Sequence, residues 1–484
     1  MTLLLKEFTK AEKILDYKLI NKSERNKIKV NKVPVEKNKE YIVEILDNGY
    51  EGEGIAKIDD FAIFIPNSIK GERVKVLILK VLSSYAYGKI VEIIKKSPNR
   101  VEVDCPTYKR CGGRDLRHIN YEETLNIKQN AVQNLVNKNL KTKIKVEPTW
   151  GMGNPYNYRN KLQFPVGVDK NGNPTIGVYA NRTHEIIPVE ECMIQDIQAT
   201  NIAKDIVKLL KKYKISAYDE SNQNGLVRHI VIKTGFRSRE VMVIFVINGK
   251  ELLCSDEIVK ELTEKYSEIK SIVLNINMKN TNVILGEKNI NILGEGVIFD
   301  YLGDYKFKIS PLSFYQVNPI QAEAMYNYAV EEAKITKEDI AFDLYCGIGT
   351  ISLFMARYAK KVYGVEIVEQ AIQMAKENAL NNKVQNTEFI AGDTELVLTD
   401  LIENKKIIPD IIMVDPPRKG LDNTTINNIL KIKPKKVVYI SCNPASLVRD
   451  LSKLEEEYEI KSIQPFDMFP FTHHSEVVAV LELM

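Results

Sequence analysis

Cys442 stands where an apolar run, KKVVYIS, gives way to NPASLVRDLSKL, a segment patterned as a helix. A thiol at the tip of a strand and near a helix N-terminus is expected to be exposed and to have a depressed pKa, which makes Cys442 a candidate nucleophile. A soft thiolate adds to the electron-poor carbon 6 of a pyrimidine. That addition turns carbon 5 into a carbon nucleophile, able to take a methyl group from a sulfonium. A base must then remove the carbon-5 proton so that the thiol can leave. Glu476 precedes the buried run VVAVLEL, so its carboxylate is expected to be desolvated and more basic than in water. With His473 and His474 it forms a His-His-x-Glu cluster that suits a metal only if both rings face one point. Adjacent residues of an extended segment point to opposite sides, which disfavours that reading.

A methyl donor needs its own site. Asp343-Leu-Tyr-Cys-Gly347-Ile-Gly349-Thr joins a strand to a helix, with glycines that let backbone approach a ligand. The third glycine of a dinucleotide loop is absent, its place falling in Ile351-Ser352, so the ligand is expected to lack a pyrophosphate. Glu366 ends the next strand, where a carboxylate accepts the hydroxyls of a ribose. Asp393 follows the third strand and Asp415, in IIMVDPPRKG, the fourth. Helix caps also favour Asp, so each acid alone has a structural explanation. Together around a pyrophosphate-free turn they suggest S-adenosylmethionine. Arg418 and Lys419 suit a phosphate backbone or simple solvation.

These positions require an α/β parallel sheet over 301–484, in which ligands bind at the carboxyl ends of the strands. Upstream, residues 34–96 alternate short apolar runs (Tyr41–Leu46, Ala62–Ile65, Arg73–Val81, Gly88–Ile94) with Gly- and Asn-rich breaks, the pattern of a small antiparallel barrel of the OB type. Tyr50, Phe61 and Phe64 are candidate stacking faces there, or core residues. A cysteine loop fills 97–118. Residues 119–300 read as an α+β domain, with helices at Tyr121–Asn139, Asp196–Lys214 and Ser255–Tyr266 and strands at Leu226–Thr234, Val241–Asn248, Ser271–Asn277 and Val283–Leu285. Residues 1–33 form a Lys-rich lead, partly helical or disordered.

At 484 residues the chain exceeds one hydrophobic core. Its 44% hydrophobic and 27% charged composition excludes collagen-like, disulfide-scaffold and disordered classes. No apolar run is long enough to span a bilayer, so a cytoplasmic monomer without membrane contact is expected. The net charge of +4 hides a split: residues 1–150 carry 29 Lys+Arg against 20 Asp+Glu, and the remainder 39 against 44. A basic front third is what a nucleic-acid-holding module shows, or a compositional bias. The six cysteines are expected to be reduced thiols, not a disulfide framework.

The motifs SFYQVNP, FDLYCGIGTISL, GVEIVEQAI, VDPPRKGLD, YISCNPASLVRDL and MFPFTHHSEVV occur in the order found in the RumA/TrmA-type RNA uridine-5 methyltransferases, which the chain resembles from about residue 34 onward. The resemblance implies a TRAM barrel, a central RNA-binding domain and a Rossmann-like class I methyltransferase domain. It implies Cys442 as nucleophile, Glu476 as base, and Gln316, Asp343, Gly347, Gly349, Glu366, Asp393 and Asp415 around S-adenosylmethionine. Cys346 is expected to be a packing residue. Members with a TRAM barrel and an iron–sulfur loop resemble the ribosomal enzymes, so 23S rRNA is the expected substrate, with tRNA as the alternative. YRNKLQF and LVRHIVIKTG resemble RNA-side segments and nominate Arg159, Lys161, Arg228 and His229. The family loop holds a [4Fe–4S] cluster on four cysteines. Here Cys105, Cys111 and Cys192 match, but Arg114 takes the fourth position, a poor neighbour for a cluster. Structural thiols are the favoured reading, and zinc with His118 or His184 a further one. Methylation of an exocyclic amine, which needs no thiol, and a non-catalytic RNA-assembly role are the competing functions. Cytosine-5 enzymes carry a second cysteine in the fourth-strand motif, and DPPR has none.

Overall fold

A computed structural model describes residues 33–111, 113, 115–180 and 183–484. All but Val33 of the basic lead, and Arg114, lie outside the described residues. The chain divides into two units: residues up to Asp47 with Gly54–Lys96, and Asn48–Glu53 with Ser97–Met484.

In the first unit, strands Glu40–Glu44, Arg73–Val81, Tyr85–Lys95, Phe61–Ile65 and Gly54–Ile58 lie side by side in that order. Period-two patterning drives the closure: Val74, Val76 and Ile78 are fully buried while the residues between them face outward. Three register shifts between the two long strands supply the bend that a small barrel needs. The strand Gly54–Ile58 is not anticipated by sequence because its Gly-rich start reads as a turn. Phe61 packs against the barrel core, and Phe64 meets Tyr85 edge to face, with centroids 5.3 Å apart.

The second unit contains two seven-stranded sheets and a two-stranded hairpin. The central one orders its strands Lys288–Leu293, Ile269–Ile276, Val241–Ile247, Val227–Thr234, Lys161–Val168, Pro174–Tyr179 and Ile186–Pro188. Helices Ile197–Lys212 and Ser255–Lys265 contribute to the core on one side of it. The hairpin Ile298–Leu302/Tyr305–Ile309 packs on the other, so both middle strands are buried throughout. Val283–Leu285 is not a strand. Asn277 turns that segment off the ladder by donating its amide to the carbonyls of Val283 and Ile284 at 2.7 and 2.9 Å. Helix Tyr121–Asn139 runs as expected but packs Val132 and Val136 into the core of the other sheet.

That other sheet, numbered here along the chain, comprises β1 (Ile340–Leu344), β2 (Lys361–Glu366), β3 (Thr387–Ala391), β4 (Ile411–Val414), β5 (Lys436–Ser441), β6 (Tyr458–Phe466) and β7 (Glu476–Leu483), in the spatial order 3-2-1-4-5-7-6. Strands β1 to β5 are parallel, and β7 is antiparallel to both β5 and β6. The order reverses between β1 and β4, the switch point where such sheets open a ligand crevice at their carboxyl ends.

Candidate active site

The antiparallel register of β5 and β7 sets Ser441 opposite Val477. One further step puts Cys442 opposite Glu476, although 34 positions separate them in sequence. Asn443 caps the helix Pro444–Leu454, with its Oδ1 accepting from the backbone N–H of Ala445 at 3.2 Å. The thiol therefore sits just before a helix N-terminus, as expected, but its pKa is not depressed. Burial pushes the half-buried Cys442 up to about 11, with the carboxyls of Glu476 and Asp415 adding to the shift and Arg418 opposing it. Desolvation and two nearby acids outweigh the partial charge of the helix end. Glu476 is buried and rises well above the ordinary carboxylate range, first through desolvation and then through Asp415. His473 and His474 are not splayed: their ring centroids lie 4.1 Å apart, because Phe471 at φ 64° breaks the extended run before them. His473 Nδ1 lies 2.7 Å from Asp115 Oδ2, and burial lowers His474 to about 4.

The donor loop after β1 turns through Tyr345, Gly347 and Gly349 at φ 69°, 55° and 80°. At Gly349 a Cβ would meet Ala375 and Phe389 at 3.0 Å, so the close approach requires glycine. Glu366 at the end of β2 holds the loop: its Oε2 accepts from the Gly347 N–H at 3.2 Å and its Oε1 from Val368 at 3.0 Å. Asp393 follows β3, lies exposed, and caps a short helix through Glu395. Asp343 is fully buried, bonded on one oxygen by Ser352 at 2.5 Å and with no partner on the other. Asp343 and Asp415 are both pushed up to about 7, chiefly by desolvation. A crevice that holds three such carboxyls close together suits a ligand that brings a positive charge, as a sulfonium nucleoside does.

Gln316 lies in the segment Ser313–Pro319, tied by its carbonyl to the Asn160 amide at 3.0 Å. The phenol of Tyr326 is buried and raised well above its ordinary value, first by burial and then by Asp415, with Gln316 opposing the shift and Glu476 and Asp343 adding to it. Tyr326 is thus a site residue that the motifs do not point to. Its only sequence signal is a position on the apolar face of the helix Pro319–Ala333.

The nominated RNA contacts divide. Arg159 and Lys161 are half-buried at the start of the strand Lys161–Val168. Arg228 is buried and donates to the carbonyls of Asn277 and Lys279 at 2.9 and 2.8 Å, with its guanidinium over the Tyr218 ring. His229 is buried and lowered to about 4 by desolvation, so it is neutral at pH 7. The cysteines do not gather. Cys192 lies in the apolar core of the central sheet, Cys105 is buried with its sulfur 3.4 Å from the Thr107 hydroxyl, and Cys111 bridges to Ala180. Among the described residues no group of three or more His, Cys, Asp or Glu is placed to hold a metal ion, so these residues do not fit a [4Fe–4S] cluster. The loop is instead held by Arg117, which grips Asp104 at 2.9 and 3.0 Å and lies over the Phe471 ring.

Residues 197–483, which include every donor and catalytic candidate, match the family model described as tRNA (Uracil-5-)-methyltransferase, and residues 34–91 match the TRAM domain. An RNA methyltransferase of Clostridium tetani is 46% identical over 450 residues, covering 93% of this chain and 97% of its own. Another from Halalkalibacterium halodurans is 45% identical over 452 residues, covering 93% and 98%. The crystal structure of a Pyrococcus abyssi tRNA (uracil-54, C5)-methyltransferase in complex with S-adenosyl-L-homocysteine superposes with a TM-score of 0.73 at 26% identity, covering 92% of this chain and 100% of that one. No described helix is long and apolar enough to cross a membrane.

Proposed function

Because the chain belongs to the tRNA (uracil-5-)-methyltransferase family, whose members are S-adenosylmethionine-dependent RNA methyltransferases, we propose that it methylates carbon 5 of a uridine in 23S rRNA through a covalent adduct on Cys442. The observation that carries this reading is the β5–β7 register, which brings a thiol and a carboxyl from distant parts of the chain side by side beside Asp415. Methylation of an exocyclic amine needs no such pair.

When bound, the donor supplies an electrophilic methyl carbon and one positive charge. Gln316, Asp343, Gly347, Gly349, Glu366, Asp393 and Asp415 hold it. Beside that charge Cys442 and Glu476 give up their protons more readily, because a nearby cation favours the anionic form of each. The Cys442 thiolate forms a bond to carbon 6 of the uracil, and the displaced pair moves through carbon 5 toward the oxygen on carbon 4. Carbon 5 bonds to the methyl carbon as that carbon's bond to the donor sulfur breaks, its electron pair staying on the now neutral sulfur. The Glu476 carboxylate then takes the carbon-5 proton, the double bond reforms, and the thiolate leaves with the pair it brought.

The TRAM barrel supports an rRNA substrate through the resemblance, in which members with that barrel and an iron–sulfur loop are the ribosomal enzymes. The second reading, a tRNA uridine, is favoured by the likeness to the Pyrococcus abyssi tRNA enzyme. One experiment tests the chemistry: RNA carrying 5-fluorouridine is expected to trap a gel-shifted adduct with the native protein and none with Cys442→Ala. Glu476→Gln is expected to accumulate adduct on ordinary RNA, because the carbon-5 proton has no acceptor. Methyl transfer by Cys442→Ala would eliminate the mechanism. Mass mapping of 5-methyluridine in rRNA and tRNA from cells lacking the gene decides between the substrates.

A further inference from the structure

Residues 48–53 lie between two strands of the barrel in sequence yet pack as part of the second unit. Their turn is tight: Gly49 donates to the Glu53 carbonyl at 2.6 Å and Gly52 to that of Gly49 at 3.0 Å. Gly52 sits at φ 82° with the Leu116 side chain 2.5 Å from where a Cβ would be, so neither the turn nor its seat admits another residue. This rigid turn carries Tyr50 to the nucleophile. The Tyr50 hydroxyl donates to Oδ1 of Asn443, the residue after Cys442, at 3.3 Å. Asn443 in turn donates its amide to the Arg418 carbonyl at 2.9 Å, which ties the DPPR turn to the same point. The Tyr50 ring meets His473 edge to face with centroids 6.5 Å apart. Burial raises the pKa of its phenol, with Arg418 opposing the shift and Cys442 adding to it. Even so, 40% of Tyr50 is exposed, so packing against the protein leaves part of the ring available.

A pyrimidine drawn out of an RNA stack to reach a thiol loses its stacking partners, and the enzyme must replace them. Aromatic side chains do this for any base, and the contact is worth enough to change binding by about tenfold or more. We propose that Tyr50 is a positioning residue for the RNA substrate, its ring serving as the stacking wall against which the target base settles beside Cys442. The proposal rests on the uridine mechanism above. The rigid turn, held by its own backbone hydrogen bonds, presents the ring beside the residue that follows the nucleophile.

The test is the rate of covalent adduct formation by the full chain on large-subunit rRNA and tRNA transcripts made with 5-fluorouridine, with S-adenosylhomocysteine affinity measured on the same proteins by calorimetry. Tyr50→Leu keeps bulk but removes the ring. It is expected to slow the adduct and raise the RNA concentration for half-maximal rate by about tenfold or more. Tyr50→Phe and Tyr50→Trp keep a ring and are expected to stay within about fivefold of the native rate, since only one long hydrogen bond is lost. S-adenosylhomocysteine affinity should not change in any of them. A leucine variant that reacts as fast as native protein overturns the proposal. So does a phenylalanine variant that falls as far as leucine, which would make the hydroxyl a tether and the ring incidental. If leucine also loses S-adenosylhomocysteine affinity, the tryptophan variant decides: a rate near native supports the stacking wall, and loss of the adduct overturns it. Absence of any adduct from native protein would instead sink the uridine mechanism itself, a result distinguishable from failure at Tyr50 alone.

Discussion

At the residue scale, Asp343 and Asp415 rise to about 7 because burial removes water that their charged forms need, and few charges replace it. Glu476 is raised too, first by burial and then by Asp415. In the free protein near pH 7, Asp343 and Asp415 are therefore partly protonated, which reduces the negative charge of the crevice. A bound sulfonium favours the carboxylate forms, so binding must release protons. The sign follows from the direction of the shifts: with folded-state values raised, protons stay bound below about pH 7 and oppose a cation. S-adenosylmethionine affinity is accordingly expected to strengthen between pH 6 and pH 8, with proton release detectable by calorimetry in buffers of different ionisation enthalpy. S-adenosylhomocysteine lacks the sulfonium charge and should show a weaker dependence. Equal pH dependence for the two ligands would refute this account. Cys442, Glu476 and the strand-end acids are legible in sequence because each sits where an apolar run stops. The raised thiol pKa is not, since it depends first on burial and then on Glu476 and Asp415, all of which only the folded sheet supplies.

At the scale of elements, the segment between β6 and β7 carries His473, His474 and the approach to Glu476, and a buried ion pair holds it. Lys128 from the helix Tyr121–Asn139 bonds Asp467, and both side chains are wholly buried. Asp467 also accepts from the Tyr121 hydroxyl at 2.6 Å, and Lys128 donates to the Phe469 carbonyl at 3.1 Å. Removing one partner leaves the other charge buried alone, a loss of about 3–5 kcal/mol. Lys128→Met is thus expected to lower the melting temperature strongly, whereas Lys128→Met with Asp467→Leu should recover much of the loss. If the single variant melts like native protein, the pair does not hold the segment. Nothing in the sequence pairs residues 128 and 467, which lie 339 positions apart. The parallel strands are easier to read, because burial on both faces makes them continuous apolar runs. The strand Lys161–Val168 escapes notice because Pro165 interrupts it, yet Pro165 is paired with His229 inside the sheet. The helix Pro319–Ala333 escapes because apolar Ile320, Ala324 and Tyr328 lie off the buried stripe of Ala322, Met325, Tyr326, Ala329, Val330 and Ala333 and blur its periodicity.

For the molecule as a whole, the charge split assigns opposite partners to different parts of the chain. The acidic remainder holds the carboxyls suited to a cationic donor, and the basic first 150 residues suit a polyanion. Charge along the sequence does not say which cations face outward, and the fold corrects the simple reading. Arg228 donates to carbonyls within the central domain, so its loss should cost stability before it costs RNA affinity. Arg159 and Lys161 are half-buried, and we propose that they meet RNA phosphate. Each phosphate neutralised contributes about 0.9 to the slope of log affinity against log salt on a duplex, and about 0.7 on a single strand. Replacing Arg159 and Lys161 together by alanine is therefore expected to reduce that slope by about one to two for an rRNA fragment, with the melting temperature nearly kept. Arg228→Ala should do the reverse, lowering the melting temperature while the surviving folded protein keeps the native slope. Binding isotherms at four salt concentrations, paired with thermal melts, separate the two outcomes. An unchanged slope in the Arg159/Lys161 variant would remove that strand from the RNA-facing surface and leave the barrel unit and the cysteine loop as the source of the polyanion affinity.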